Sequence, residues 1–279
     1  MGQAMNQLIS VITPAYRPVR EFLTAAYDSL RTQELPPGWT WEWVVQEDDT
    51  TGALEPLLPA DNRIKPGQGR HGGPGVCRSL ALARSAGILV KVLDADDQLT
   101  PGALARDIAA LQQPGIGWTT SRVLDLLPDG STIGFEHDPP NGRITSGSVL
   151  KHWRTHDYRA NVHPATLCIR RDLLLAIGGW MALPASEDTG LLIAADALSD
   201  GWFSAEPGLL YRKWDGQVTA HPAHTELAEI AARMGLIDAR AEALRTTTKF
   251  EHPPLLWPQD NSTVRTTVSL RRHERQPEV

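Results

Sequence analysis

The chain has 279 residues, of which 41 % are hydrophobic, and it carries a formal net charge of −6 with a pI near 5.8. This composition allows a sizeable folded core, and the acidic balance argues against nucleic-acid binding through a generally basic surface. The two cysteines, Cys77 and Cys168, exclude a disulfide framework and a cysteine-rich zinc site. No apolar run reaches the roughly 18 residues of a membrane span, and the first residues lack the pattern of a secretion signal. We therefore expect a cytoplasmic protein without an integral membrane segment.

The first 115 residues alternate between predicted strands and helices. In chain order the patterns predict a strand at 8–13, a helix at 19–33, a strand at 39–45, a short strand at 63–67, a helix from Val76 to Gly87, a strand at 88–93 and a helix that Thr100 caps and Pro101 begins. Such alternation predicts an α/β fold whose central sheet is mostly parallel and flanked by helices. Ligands of such sheets bind beyond the carboxyl ends of the strands.

The second half mixes both kinds of element. The patterns predict two strands around a turn at 117–137, a short helix near 147–157, a strand and helix at 164–180, a helix that Ser186 caps and that ends at Leu198, a strand near 208–212, and one or two helices at 224–245. After Arg245 the chain becomes polar and proline-containing, which is typical of an extended arm or tail. We predict one domain over 1–220 and a helical and extended appendage over 221–279.

Three aspartates follow the apolar run "GILVKVL". Asp94, Asp96 and Asp97 occupy three of four successive positions at the end of that predicted strand. Crowded carboxylates repel one another unless a cation lies nearby. The residues alone leave three explanations open: a divalent metal ion, a neighbouring arginine or lysine, or plain solvation on a loop.

Six motifs occur in a characteristic order: "SVITPAYRP", "WEWVVQEDDTTG", "GGPGVCRSLALARSAG", "KVLDADDQLTPGAL", "GGW" and "SEDTGLL". Together they resemble the family 2 glycosyltransferases, which are inverting enzymes with the GT-A fold, over roughly residues 8–215. The resemblance implies transfer of a sugar from a nucleoside-diphosphate donor, with UDP as first choice, to a hydroxyl group of a soluble small-molecule or glycan acceptor. It also implies a GT-A domain at 1–220.

The resemblance assigns the chemical roles. Asp96 and Asp94 match the family's metal-binding aspartates, which hold Mg²⁺ or Mn²⁺, and His221 or His224 could complete the metal shell. Hard cations of this kind prefer carboxylate oxygens. Asp188 matches the general base that takes the acceptor proton, and Glu187 would position it.

Donor contacts follow from the other motifs. The resemblance gives the nucleotide a site made of Pro14, Ala15, Tyr16, Asp48, Arg78, Asp94 and Ala95, while Trp180 is the candidate for stacking on the acceptor. The chain departs from the family at Asp49, where a glycine is usual, so Asp49 could take the place of Asp48.

Two other functions compete with this interpretation. A sugar-phosphate nucleotidyltransferase would need a glycine-rich basic motif directly after the first strand, and "TPAYRP" does not supply one. A non-catalytic sugar-nucleotide-binding protein would not need the acids Asp94, Asp96 and Asp188. A homodimer is compatible with the sequence.

Overall fold

The computed structural model describes residues 7–217 and 226–246. Within them the strands are β1 (Gln7–Ala15), β2 (Trp39–Glu47), β3 (Ile64–Gln68), β4 (Leu89–Val92), β5 (Gln98–Leu99), β6 (Ile116–Leu126), β7 (Thr132–Ile133), β8 (Gly142–Ile144), β9 (Cys168–Arg170) and β10 (Asp200–Arg212). The α-helices are α1 (Arg20–Arg31), α2 (Pro74–Arg84), α3 (Ala103–Leu111), α4 (Ser148–Thr155), α5 (Arg171–Ala176), α6 (Glu187–Leu198) and α7 (Leu227–Thr246). The predicted α/β alternation is confirmed.

One sheet joins these strands. Its main path runs β3-β2-β1-β4-β9-β6-β10-β5, with β7 beside β6 and β8 beside β10. The four strands β3, β2, β1 and β4 are parallel, so their carboxyl ends share one edge. The motifs that follow β1, β2 and β4 therefore meet there, as predicted.

The other half of the sheet is mixed. Strand β9 is antiparallel to β4 and to β6, whereas β6 and β10 run parallel. The sheet is thus less parallel than the alternation predicted. The segment between β4 and β9 contains further strands as well as α3 and α4, so no single strand–helix–strand crossover makes these two strands parallel.

Each face of the sheet carries a hydrophobic core. Neighbouring residues of a strand point to opposite faces: Val11 packs in the cluster with Leu23 of α1 and Leu104 of α3, and Ile12 packs in the cluster with Leu191 of α6. The continuous apolar runs of β1 and β4 follow from this two-sided burial.

Helix α3 begins later than the sequence predicts. Thr100 donates its hydroxyl to the carbonyl of Pro207, so this side chain does not cap a helix. The helix starts at Ala103, after Gly102 with φ of 73°, a left-handed conformation that glycine adopts without strain. Thr100 and Pro101 instead belong to a turn that ties the acidic segment to β10.

Helix α7 packs on the hydrophobic core that contains Ile12 of β1 and Leu191 of α6. Met234, Ile237 and Ala241 are buried in the cluster that contains α6. The predicted domain boundary at 220 and most of the predicted tail lie outside the described residues, so both stay predictions. Within 7–217 and 226–246, no helix has the combined length and apolar character that crossing a bilayer needs.

We expect Asp196 of α6 to make stability depend on pH. Burial is the main reason that its pKa rises to about 7, although the N–H groups of Leu150, Val149 and Gly147 oppose the rise. A carboxyl whose pKa is higher folded than unfolded makes the free energy of unfolding fall as pH rises from about 4 to 7. The loss is roughly 4 kcal/mol at most.

Urea unfolding at a series of pH values checks this expectation. Asp196→Asn should remove that part of the pH dependence, while Asp28→Asn, on an exposed side of α1, should keep it. Identical pH profiles for the wild type and Asp196→Asn would contradict the assignment.

Candidate active site

The acidic segment after β4 forms a tight turn. The Asp97 N–H donates to the Asp94 carbonyl at 3.2 Å, which closes the turn. Burial and then repulsion from Asp94 and Asp96 raise the pKa of Asp97 well above its usual range. Burial is also the largest cause of the raised pKa of Asp96. The structure therefore crowds the three acids, as the sequence predicted.

The end of β10 covers this turn. Arg212 donates its backbone N–H to Asp97 Oδ1 at 2.9 Å and its Nε to the Asp96 carbonyl at 2.8 Å. Trp214 Nε1 donates to Asp96 Oδ2 at 2.7 Å. The sequence did not predict these contacts, because residues over 100 positions apart give no local sign that they meet.

The phenol of Tyr211 is influenced by the same group of carboxylates. Burial, followed by the carboxylates of Asp97, Asp94, Asp96 and Asp188, raises the pKa of its phenol well above the usual value. One ring therefore lies within electrostatic reach of both the acidic turn and the start of α6. Sequence reasoning gave Tyr211 no role.

Arg78 joins three distant segments. Its Nη1 donates to Glu187 Oε1 and its Nη2 to Asp94 Oδ1, both at 2.6 Å. Burial lowers the pKa of this guanidinium, but the carboxylates of Asp94, Glu187 and Asp188 raise it further, and the net shift is upward. Arg78 therefore stays charged and offsets part of the repulsion among the acids.

Gly75 allows α2 to approach the start of α6. A Cβ atom at this position would lie 3.0 Å from Glu187 Cγ and 3.1 Å from the Met181 carbonyl oxygen. Any larger residue would push α2 away and lengthen the contact between Arg78 and Glu187. The glycine-rich motif thus also sets a helix–helix distance.

The start of α6 is strained. Ser186 stands at the predicted N-cap position, but its φ of 64° is left-handed and its side chain makes no capping hydrogen bond. Such a conformation is unfavourable for a serine and is typical of functional sites. Asp188 accepts the Thr189 N–H at Oδ1 at 2.6 Å, and within the described residues its Oδ2 has no hydrogen-bond partner.

Asp48 binds the backbone of the glycine loop, which is the glycine-rich segment directly before α2. Its carboxylate accepts the N–H groups of Gly72 at 2.7 Å and Gly73 at 3.0 Å, and His71 Nδ1 lies 3.0 Å from Oδ2. The Asp48 N–H donates to the Ala15 carbonyl at 2.8 Å, at the end of β1. Both oxygens of Asp48 are engaged, and the contact to a nucleotide base stays a prediction.

Tyr16 offers an accessible aromatic face beside that loop. It follows Pro14 and Ala15 and is 42 % exposed. Its ring centroid lies 4.7 Å from that of His71. His71 directly precedes the glycine-rich motif, and the sequence pattern gave it no role.

The remaining predicted residues fall in different places. Ala95 is partly buried within the acidic turn. Trp180 is 7 % exposed and packs in the core, which leaves its ring almost no surface for an acceptor, so this placement gives the predicted stacking role no support. His221 and His224 lie outside the described residues.

The acidic turn suits a hard cation chemically. Asp97 Oδ2 is buried without a hydrogen-bond partner in the described structure, and the neighbouring carboxylates repel one another. Oxygen donors of this kind match Mg²⁺ or Mn²⁺. Among residues 7–217 and 226–246, no three side chains of metal-ligating type already converge on one point.

Comparison with known families matches the first part of the chain. Residues 10–131 match the model of Glycosyl transferase family 2, and this range includes all the predicted donor and metal residues up to Asp96. A search of curated protein sequences found no significant match.

Solved structures share the fold. The chain superposes on S. aureus TarS residues 1–349 in complex with UDP, with a TM-score of 0.60 and 19 % identity over 85 % of this chain and 69 % of that one. For the complex with UDP-GlcNAc, the TM-score is 0.62 at 19 % identity over 85 % and 70 %. Residues 10–131 therefore match glycosyl transferase family 2, and the chain shares the GT-A fold with these structures.

Proposed function

We propose that the protein transfers a sugar from a UDP-sugar to a hydroxyl group of an acceptor, with inversion at the anomeric carbon. The observation that carries the proposal is the Arg78 bridge, because it joins the acidic turn after β4 to the start of α6. The family match supports glycosyl transfer, and the UDP complexes of structurally similar TarS favour uridine as the base.

The donor would lie along the ends of β1 and β2. Pro14, Ala15 and Tyr16 border the place where the family holds the nucleoside, and the exposed ring of Tyr16 can lie against a base. The role of Asp48 in this proposal is to keep the glycine loop close to the donor through the N–H groups of Gly72 and Gly73.

Asp96 and Asp94 would hold Mg²⁺ or Mn²⁺ in the loaded enzyme. Such an ion neutralises the charge that develops on the diphosphate leaving group. The chain's own contribution is to keep these carboxylates oriented: Trp214 fixes one oxygen of Asp96, and Arg78 fixes one oxygen of Asp94.

Asp188 would act as general base. Its Oδ1 is held by the Thr189 N–H, which leaves Oδ2 to take the proton of the acceptor hydroxyl. As the proton moves to Asp188, the acceptor oxygen forms a bond to the anomeric carbon. The bond from that carbon to the phosphate oxygen breaks, and UDP departs with the electron pair. Attack from the face opposite the leaving group inverts the configuration.

A thermal-shift panel tests the donor and the cation together. We expect UDP with Mn²⁺ to raise the melting temperature more than GDP, dTDP or CDP, because the nucleotide that binds the folded protein most tightly stabilises it most. A ligand at 100 times its Kd stabilises the folded state by about 2.7 kcal/mol. Asp96→Asn should lose the increment that depends on manganese, and Asp28→Asn should retain it.

Two outcomes would contradict the proposal in different ways. A larger shift with another nucleotide would overturn the choice of uridine. A UDP shift that is the same with and without Mn²⁺ would contradict the proposed cation site but not the donor site.

A further inference from the structure

The segment that follows β10 folds back beside the acidic turn. Gln217 Nε2 donates to the Arg212 carbonyl at 2.6 Å, and the Gln217 N–H donates to the Trp214 carbonyl at 3.4 Å. These two contacts close a short loop over residues 212–217. From this loop the indole of Trp214 reaches Asp96.

Arg212 anchors the loop at its first residue. Its backbone N–H donates to Asp97 Oδ1 at 2.9 Å, and its Nε donates to the Asp96 carbonyl at 2.8 Å. Its guanidinium carbon lies 4.5 Å from the centroid of the Phe22 ring in α1. The loop is therefore attached to two separate elements, the acidic turn and α1, in addition to the contact that Trp214 makes.

Phe22 also supports the Trp214 ring directly. The two ring centroids lie 5.1 Å apart and the ring planes meet at 68°, which is the edge-to-face arrangement that aromatic pairs favour. Both side chains are partly buried. With Phe22 against it, the indole directs Nε1 at Asp96 Oδ2, which lies 2.7 Å away.

Gly216 leaves the space that the indole occupies. A Cβ atom at this position would overlap Trp214 Cζ3 and would lie 2.5 Å from Cη2 and 2.8 Å from Cε3. Non-bonded carbon atoms pack at roughly 3.5–4.0 Å, so even an alanine here would displace the ring. The loop thus contains a glycine at the position where a side chain would break the contact between Trp214 and Asp96.

The contact itself is of the kind that orients a metal-ligating carboxylate. An ionised carboxylate has about four lone-pair sites, so one bond from Trp214 fixes the orientation of Asp96 and leaves most of its capacity to accept. When a hydrogen-bond partner of a ligating group is removed, metal affinity or activity typically falls by roughly 10–100-fold. Because Phe22 and Gly216 determine where the indole lies, the donor is in place before any cation binds.

We propose that Trp214 is a positioning residue, which orients the Asp96 carboxylate for the divalent cation. Phe22 and Gly216 hold its indole in place for this role. Trp214 acts through Asp96 and is not itself a ligand, because an indole N–H only donates. The inference rests on the proposed function, since it concerns the cation that Asp96 and Asp94 would hold.

Electron paramagnetic resonance of free Mn²⁺ tests the inference, because it measures cation affinity without turnover. The full chain is titrated with Mn²⁺ in the presence of UDP. Trp214→Phe keeps an aromatic ring but has no N–H, and it should weaken Mn²⁺ binding about tenfold or more. Gly216→Ala keeps the indole but displaces it, so it should weaken Mn²⁺ binding as well. Trp39→Phe, at the amino end of β2, is the matched control and should bind Mn²⁺ like the wild type.

Calorimetric titration with UDP in the absence of a cation distinguishes positioning from a general structural role. We expect the affinity for UDP without Mn²⁺ to be the same in the wild type and in both loop variants, since the proposed role concerns only the cation. Three results would overturn the inference: unchanged Mn²⁺ affinity in the folded variants, tighter Mn²⁺ binding, or an equal loss of cation-free UDP affinity.

The wild type separates this failure from that of the proposed function. If the wild type binds UDP and Mn²⁺ and the variants bind both equally well, only the role of Trp214 fails. If the wild type binds UDP but not Mn²⁺, the cation site fails together with this inference, and the donor site stands. If it does not bind UDP, the proposed donor site fails as well.

Discussion

Asp188→Asn is expected to reduce glycosyl transfer by a factor of about 10³ while UDP binding persists. General-base catalysis contributes roughly 10²–10⁴ to a rate, and an amide cannot take the proton of the acceptor hydroxyl. The substitution keeps the size of the side chain and one oxygen that can accept the Thr189 N–H. It also removes a negative charge near the proposed diphosphate site, so UDP should bind equally well or more tightly.

Release of UDP from a UDP-sugar measures the rate, and calorimetric titration with UDP measures the binding. Asp28→Asn is the matched control, because its carboxylate is about half exposed on α1 and pairs only with Arg31 in the described structure. That variant should transfer sugar like the wild type. Full activity of Asp188→Asn would show that another group takes the proton.

Lys91→Met is expected to lower the free energy of unfolding by about 3–5 kcal/mol, because it leaves a buried carboxylate without its cation. Lys91 lies in β4 with its side chain fully buried, and its Nζ is 2.8 Å from Asp107 Oδ2. Nζ also donates to the Thr166 carbonyl at 2.6 Å. Urea unfolding at pH 7 measures the loss.

The pH dependence gives a second readout of the same variant. Burial already raises the pKa of Asp107, although Lys91 opposes it. Removing Lys91 raises that pKa further, and a carboxyl with a raised folded pKa destabilises the protein more as pH rises. The destabilisation should therefore shrink toward acid pH, where the buried carboxyl is protonated.

A double variant distinguishes loss of the ion pair between Lys91 and Asp107 from loss of side-chain packing. Lys91→Met with Asp107→Leu replaces both partners by apolar groups and should recover most of the stability. Lys151→Met, on the exposed side of α4, should change stability by less than about 0.5 kcal/mol. A double variant as unstable as Lys91→Met would show that the ion pair is not the cause.

Local patterns in the sequence predicted most of the elements and the place where they converge. Apolar runs before Pro14 and Asp94 predicted β1 and β4, and helical spacing at 19–33 predicted α1. These predictions succeed because strand and helix periods are properties of neighbouring residues. Parallel pairing of β1, β2 and β4 then brings their carboxyl ends to one edge without further information.

Local sequence patterns did not predict the contacts between distant segments. Arg78 meets Glu187 across 109 positions, and Trp214 meets Asp96 across 118. Trp180 entered the core and Thr100 bonded to Pro207 rather than capping α3. In each case contacts with distant segments determined where the side chain lies, whatever the local sequence favoured.

The sequence by itself determined the α/β alternation, the family resemblance and the acidic strand end, because each rests on residue order along a short stretch. Only the tertiary structure decided that a buried arginine offsets those acids, that Asp48 holds the glycine loop, and that Trp214 donates to Asp96. These features depend on side chains from separate elements that come within a few ångströms of each other, and such distances follow from packing alone.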